Sequence, residues 1–196
     1  MQWKATIGVG ALGLLMSCAT HGLPPAMDVR ESANESVEAS GDITRFLRPG
    51  HTLRLSRWAD LDGDGDTDVV AVASPASTFA HRTLLILRRE PDGALERVVE
   101  NPRAVPPTSA GGMLGDPLQD LEAQRSGFTL RLEGGSRELW SRSLRFEFSS
   151  AADTWLLKTI TEKVLDRHDG VATEIRQDAK DFGTVRADEF DIEEIL

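Results

Sequence analysis

The sequence predicts an all-β fold: antiparallel sheets, sandwich-like or in a partial propeller, forming a single domain over residues 42–196. Three observations carry that expectation. Apolar side chains recur at every second position through most of the chain, as where Leu144, Phe146 and Phe148 alternate with Arg145 and Glu147. That is the pattern of a strand with one face in a core and one in water. Turn signals separate the runs at Pro91-Asp92-Gly93, Gly134-Gly135-Ser136, Ser149 to Asp153, and Asp169-Gly170. No amphipathic helix stands out before the last dozen residues.

In chain order, the predicted strands are Thr52 to Trp58, Val69 to Ser74, Thr83 to Arg89, Leu95 to Glu100, Phe128 to Glu133, Leu139 to Phe148, Trp155 to Thr161 and Val171 to Arg176. Their short, β-branched or alternating composition suits a total of roughly eight to ten antiparallel strands. Between the fourth and fifth, Asn101 to Gln124 breaks the rhythm with Pro102, Pro106, Pro107, Gly111-Gly112, Gly115 and Asp116-Pro117. A connection this long and irregular is usually functional or mobile.

The densest chemistry lies between the first two strands. Residues 60 to 68 read Asp-Leu-Asp-Gly-Asp-Gly-Asp-Thr-Asp, with carboxylates at Asp60, Asp62, Asp64, Asp66 and Asp68. Hard divalent cations take several oxygens from a short curled loop, and Gly63 and Gly65 supply the backbone freedom to curl it. Without a cation, carboxylates about 5 Å apart repel by roughly 1–3 kcal/mol per pair. The expected cofactor is therefore Ca2+. An EF-hand is excluded, since loop position twelve is Ala71 and both flanks are β-prone rather than helical.

The loop with its flanks, Trp58 to about Arg89, resembles the calcium loops of FG-GAP and VCBS-type repeats. The resemblance implies that Asp60, Asp62, Asp64 and Asp68 donate side-chain oxygens, while Asp66 sits where the family offers a backbone carbonyl. One such loop is too few for a full propeller, so one or two blade-like sheets are expected.

The N-terminus begins with Met1-Gln-Trp-Lys4, continues with an apolar stretch from Ala5 to Met16, and reaches Leu15-Met16-Ser17-Cys18. The stretch is too short to span a bilayer and has the form of a cleaved secretory signal. It resembles a bacterial lipoprotein signal, which implies cleavage after residue 17 and acylation of Cys18, the chain's one cysteine. Ala19 after the cysteine implies, by the lipoprotein sorting pattern, an outer-membrane location. Residues 18–41, with Pro24, Pro25 and several Ser and Glu, read as a flexible tether.

The chain carries a formal net charge of −10, the wrong sign for nucleic acid. Catalytic constellations are harder to find: His21, His51, His81 and His168 lack metal-ligand spacing, no Ser sits in a G-x-S-x-G elbow, and Asp181-Phe182-Gly183 has no companion kinase motifs. The acid pairs Asp188-Glu189 and Asp191 with Glu193-Glu194 have the residue types of glycosidase chemistry, but a solvated acidic tail is the better reading. Gly111-Gly112 to Asp116-Pro117 and Gly134-Gly135-Ser136 to Trp140-Ser141 resemble motifs of uncharacterised bacterial secreted proteins, which carries little functional information.

The expected function is accordingly non-enzymatic: a lipid-anchored, calcium-stabilised envelope protein that binds another protein. Its leading concrete form resembles immunity lipoproteins that inhibit periplasmic cell-wall hydrolases. A surface adhesin or envelope-assembly factor is the alternative, and a hydrolase of unseen site ranks below both. Gly111, Gly112, Gly115 and Asp116, with Arg137 and Arg142 nearby, are the candidate contact residues.

Overall fold

Alternation and turns produce two consecutive meanders in the computed structural model, which describes residues 43–195. The first sheet holds β1 (His51–Ala59), β2 (Asp68–Pro75), β3 (Arg82–Arg89) and β4 (Leu95–Val105), each beside its sequence neighbour. The second holds β5 (Leu118–Gln124), β6 (Gly127–Gly135), β7 (Glu138–Ser149), β8 (Thr154–Asp166) and β9 (Ala172–Asp178) in the same manner. Every pairing is antiparallel. Two single-turn helices follow, α1 (Ala179–Phe182) and α2 (Ile192–Ile195).

The sheets stack through one core. Val70, Val72, Leu84 and Ile86 of the first meet Leu121, Phe128, Leu130, Leu144, Phe146 and Trp155 of the second. The Phe128 and Phe146 rings stack at 4.9 Å between centroids. A second cluster covers the opposite face of the first sheet, where Val69, Ala71, Ala73, Leu85 and Leu87 lie under Ile43, Phe46 and Leu47. Burial on both faces explains why Val69 to Ala73 and Leu84 to Leu87 are continuous apolar runs while β7 alternates.

Two expectations are corrected. The Asn101–Gln124 segment is not irregular throughout, since β4 continues to Val105 and Leu118–Gln124 forms β5. A register shift between Leu118 and Asp120 disrupts the alternation of β5, so Leu118 and Leu121 stand three apart and the strand period is broken at its start. The acidic tail is not simply solvated. Ala187, Phe190 and Ile192 are fully buried and Asp191 nearly so, because the apolar residues among the acids reach the inter-sheet core. Buried Asn101 holds this segment by donating Nδ2–H to the carbonyls of Ala187 and Phe190, and the Phe190 ring meets Phe146 edge-on at 5.4 Å.

Cys18, the signal segment and the tether lie outside the described residues. No helix among the described residues is long and apolar enough to cross a membrane.

Candidate metal centre

The acid loop joins β1 to β2, as its strand-like flanks require, and is tied to both sheets. Leu61 is fully buried in the inter-sheet core. Its carbonyl accepts the indole N–H of Trp155 at 2.8 Å, and the carbonyl of Asp60 accepts the backbone N–H of Ser126 at 2.8 Å. At the loop's end Asp68 is also fully buried. Its Oδ2 accepts the Leu61 N–H at 2.9 Å and its Oδ1 the Arg89 N–H at 2.9 Å. A buried carboxylate in this position is held by backbone donors at the loop's start and on β3.

Between these anchors the carboxylates shape the backbone. Asp60 Oδ1 accepts the Gly63 N–H at 2.7 Å, Asp62 Oδ1 the Asp64 N–H at 3.1 Å, and Asp64 Oδ1 the Asp66 N–H at 2.8 Å. The chain can curl this tightly because Gly63 and Gly65 adopt φ of 88° and 106°, values other residues rarely take. A Cβ at Gly63 would also press on Ser126 Oγ at 3.0 Å.

Asp60, Asp62 and Asp68 each present a carboxylate oxygen, and these oxygens lie within 4.8 Å of one another. Asp64 and Asp66 are outside this group and exposed, so three of the five predicted ligands converge. Ala71, at the EF-hand ligand position, is fully buried in β2. The all-oxygen donor set suits a hard divalent cation. Its electrostatics fit as well. Burial, then the charges of Asp68 and Asp64, push the Asp62 carboxyl above its ordinary value. Burial chiefly, with the charge of Asp64, does the same to Asp68, against the backbone donors that favour its ionised form. Two arginines among the described residues bear on these acids: Arg125, whose Nε lies 3.4 Å from Asp60 Oδ2 with its side chain 75% exposed, and Arg88, whose charge acts on Asp62. They offset the acids only in part, since Arg88 is shared with Glu90 and Asp153.

The proposed contact residues fall into three environments. Gly111 is buried and its carbonyl accepts the Gly135 N–H at 3.0 Å, so the turn from Gly111 to Gly115 is tied to the end of β6 by a single parallel bridge, Gly112 opposite Gly135. Gly112 and Gly115 are exposed there, and the tip between them carries Met113 and Leu114 at 79% and 52% exposure. Asp116 has a structural role: it accepts both hydrogen bonds from Nη1 of the fully buried Arg82, at 2.8 and 3.1 Å, and lies 3.5 Å from Arg54 Nη2. Arg142 is largely buried, paired with Glu162 at 2.6 Å and stacked over Trp140 at 4.7 Å, whereas Arg137 is 75% exposed in the β6–β7 turn. The two arginines therefore do not form one rim. Beside the Leu114 tip lies an apolar groove of about 360 Å³ lined by Leu114, Leu139, Trp140, Val164, Leu165 and Ala172.

Sequence reasoning missed Leu61, Trp155, Ser126, Arg82 and Asn101. Leu61, an apolar residue inside an acidic run, was the one local signal; the others act across long sequence separations. Compared with protein-family models, with curated proteins and with solved structures, the chain matches none.

Proposed function

We propose that this chain is a non-enzymatic envelope lipoprotein, anchored at Cys18 to the outer membrane, in which Ca2+ locks a β-sandwich whose work is to bind another protein. The observation that carries the reading is the convergence of Asp60, Asp62 and Asp68 in a loop fastened to both sheets. Bound by these carboxylates, calcium supplies positive charge that offsets their repulsion, and Asp64 or backbone oxygens of the loop complete the oxygen set. Because Leu61, Asp60 and Asp68 reach Trp155, Ser126 and Arg89, ordering the loop stiffens the junction between the sheets.

The exposed Met113 and Leu114 tip, beside the apolar groove, supplies the contact surface. In its concrete form the partner is a periplasmic cell-wall hydrolase, and the lipoprotein inhibits it. The test is to delete the gene, challenge the strain with its neighbours and measure lysis, alongside hydrolase activity on purified cell wall with and without added protein. Increased lysis and inhibited hydrolysis are expected. Unchanged lysis and hydrolysis, with altered attachment to surfaces or cells, would replace inhibition by adhesion.

A further inference from the structure

The last strand of the second sheet is self-complementary. β9 is exposed at all seven positions of Ala172–Asp178, and Ile175 in its centre is 55% exposed. One edge pairs with β8 without a register break, from Leu165 opposite Ala172 to Thr159 opposite Asp178. The other edge has no strand beside it among the described residues. An open edge is a template for another strand, and proteins usually blunt it with bulges, prolines or charged side chains; the charges on β9, Glu174, Arg176 and Asp178, are of both signs and can therefore pair with a second copy. The remaining edges here are blunted by bulges or prolines. β1 has a register shift between Leu53 and Leu55, β4 has two shifts and contains Pro102, and β5 has a shift and follows Pro117. β9 has no shift, proline or glycine.

We propose that β9 is a dimerisation edge that pairs antiparallel with β9 of a second copy about a two-fold axis at Ile175, joining the second sheets of both copies into one. Pairing about such an axis sets each residue opposite the one equally distant on the other side. Side chains directly opposite must share a sheet face, so the axis passes through a residue and not between two. With the axis at Ile175, Glu174 faces Arg176 of the partner subunit, Arg176 faces the partner's Glu174, and Ile175 meets its own copy. Moving the axis to Glu174 or Arg176 sets like charges against each other, so among these central registers only Ile175 is charge-complementary. Glu174 already meets Lys163 at 3.2 Å, whereas Arg176 has no ion pair among the described residues. Ile175, on the face shared with Gln177 opposite core residue Ile160, gains an apolar neighbour. One strand edge buries less than a standard interface, so the dimer is reversible and concentration-dependent.

The experiment is sedimentation velocity of the purified full-length chain over a concentration series. Monomer–dimer exchange is expected. Glu174→Arg and Arg176→Glu alone each put like charges opposite at two positions and weaken dimerisation by about tenfold or more. An equimolar mixture of the two variants recovers it, because one strand is then wholly basic and the other acidic at these sites. In a Cys18→Ser background, Ile175→Cys is expected to cross-link with its own copy under oxidation and Val171→Cys is not. A wild type that stays monomeric throughout, variants that dimerise as the wild type does, or a mixture that recovers nothing would overturn the proposal.

Discussion

The indole N–H of Trp155, on β8, donates to the carbonyl of Leu61 in the acid loop at 2.8 Å, with both residues essentially buried. This bond ties the loop that carries the candidate metal centre to the second sheet. Trp155 is also tilted against Phe148 at 5.1 Å, so its ring is held apart from any role of its nitrogen. Trp155→Phe keeps most of the apolar contact and removes the donor. The expected result is a loss of about 1–3 kcal/mol from the unsatisfied buried carbonyl and the smaller ring, with weaker calcium binding. Denaturant unfolding and calcium titration of the same variant check both, and an unchanged calcium affinity would disconnect the bond from the site.

Calcium is expected to raise the melting temperature. Stabilisation follows RT ln(1 + [L]/Kd), so a Kd of about 0.1 mM gives roughly 1.4 kcal/mol at about 1 mM free ion. Asp60→Ala and Asp68→Ala are expected to abolish the gain, since both belong to the converging group. Asp66→Ala is expected to retain it, since Asp66 is exposed and outside that group. Wild-type melts that coincide in calcium and in chelator would count against the site.

Acid pH is expected to stabilise the calcium-free protein locally at this loop. The folded-state Asp62 carboxyl is raised above its ordinary 3.8 by burial first and then by the charges of Asp68 and Asp64. In the pH range just above 3.8 the folded state therefore holds protons that the unfolded state has released, and this group's contribution falls as pH rises through that range. Asp62→Asn removes the penalty. In chelator it is expected to be more stable than wild type at neutral pH, with the difference closing as pH falls below 3.8. In calcium the order reverses, because a ligand is lost. Unfolding measured across pH in both conditions checks the sign, and an Asp62→Asn protein less stable than wild type in neutral chelator contradicts it.

Much of this was legible locally. Alternation in β7, the continuous apolar runs of β2 and β3, and the turns at Gly93, Gly135 and Gly170 are all consequences of short-range pattern. So was a strand–loop–strand setting for the acids. The rest depended on contacts between residues far apart in the chain. Which three acids converge is decided by how Leu61 and Asp68 are pinned to Trp155 and Arg89. β5 was hidden by its own register shift, and the tail by acids flanking the buried Phe190 and Ile192.

Asp116 illustrates the same point energetically. Burial pushes the Arg82 guanidinium down, and the carboxylate of Asp116 acts against that shift. The arginine's Nε also donates to the Pro106 carbonyl at 2.7 Å. Asp116→Ala leaves a buried charge without its partner, for which about 3–5 kcal/mol is expected. Replacing Met113 and Leu114 by serine, at the exposed tip of the same loop, is expected to leave stability within about 0.5 kcal/mol. Parallel denaturation curves separate the two roles, and a stable Asp116→Ala protein would return that residue to the surface.

The C-terminal segment gives the last test. A tail whose charges only steer encounter could be removed at little cost in stability. Here Phe190 is packed edge-on against Phe146, Ile192 is fully buried, and Asn101 spends two donors on the carbonyls of Ala187 and Phe190. Phe190→Ala is expected to cost about 3–5 kcal/mol through the cavity it leaves. Ending the chain before Asp188 is expected to cost more, since it also removes Ile192 from the core and takes the Phe190 carbonyl from the buried Asn101 amide. Asn101→Ala on the full chain isolates that second contribution, because it removes the donors while the ring stays in place. If the truncated chain unfolds at the same denaturant concentration as the whole chain, the segment is peripheral and its charges are the only part that matters.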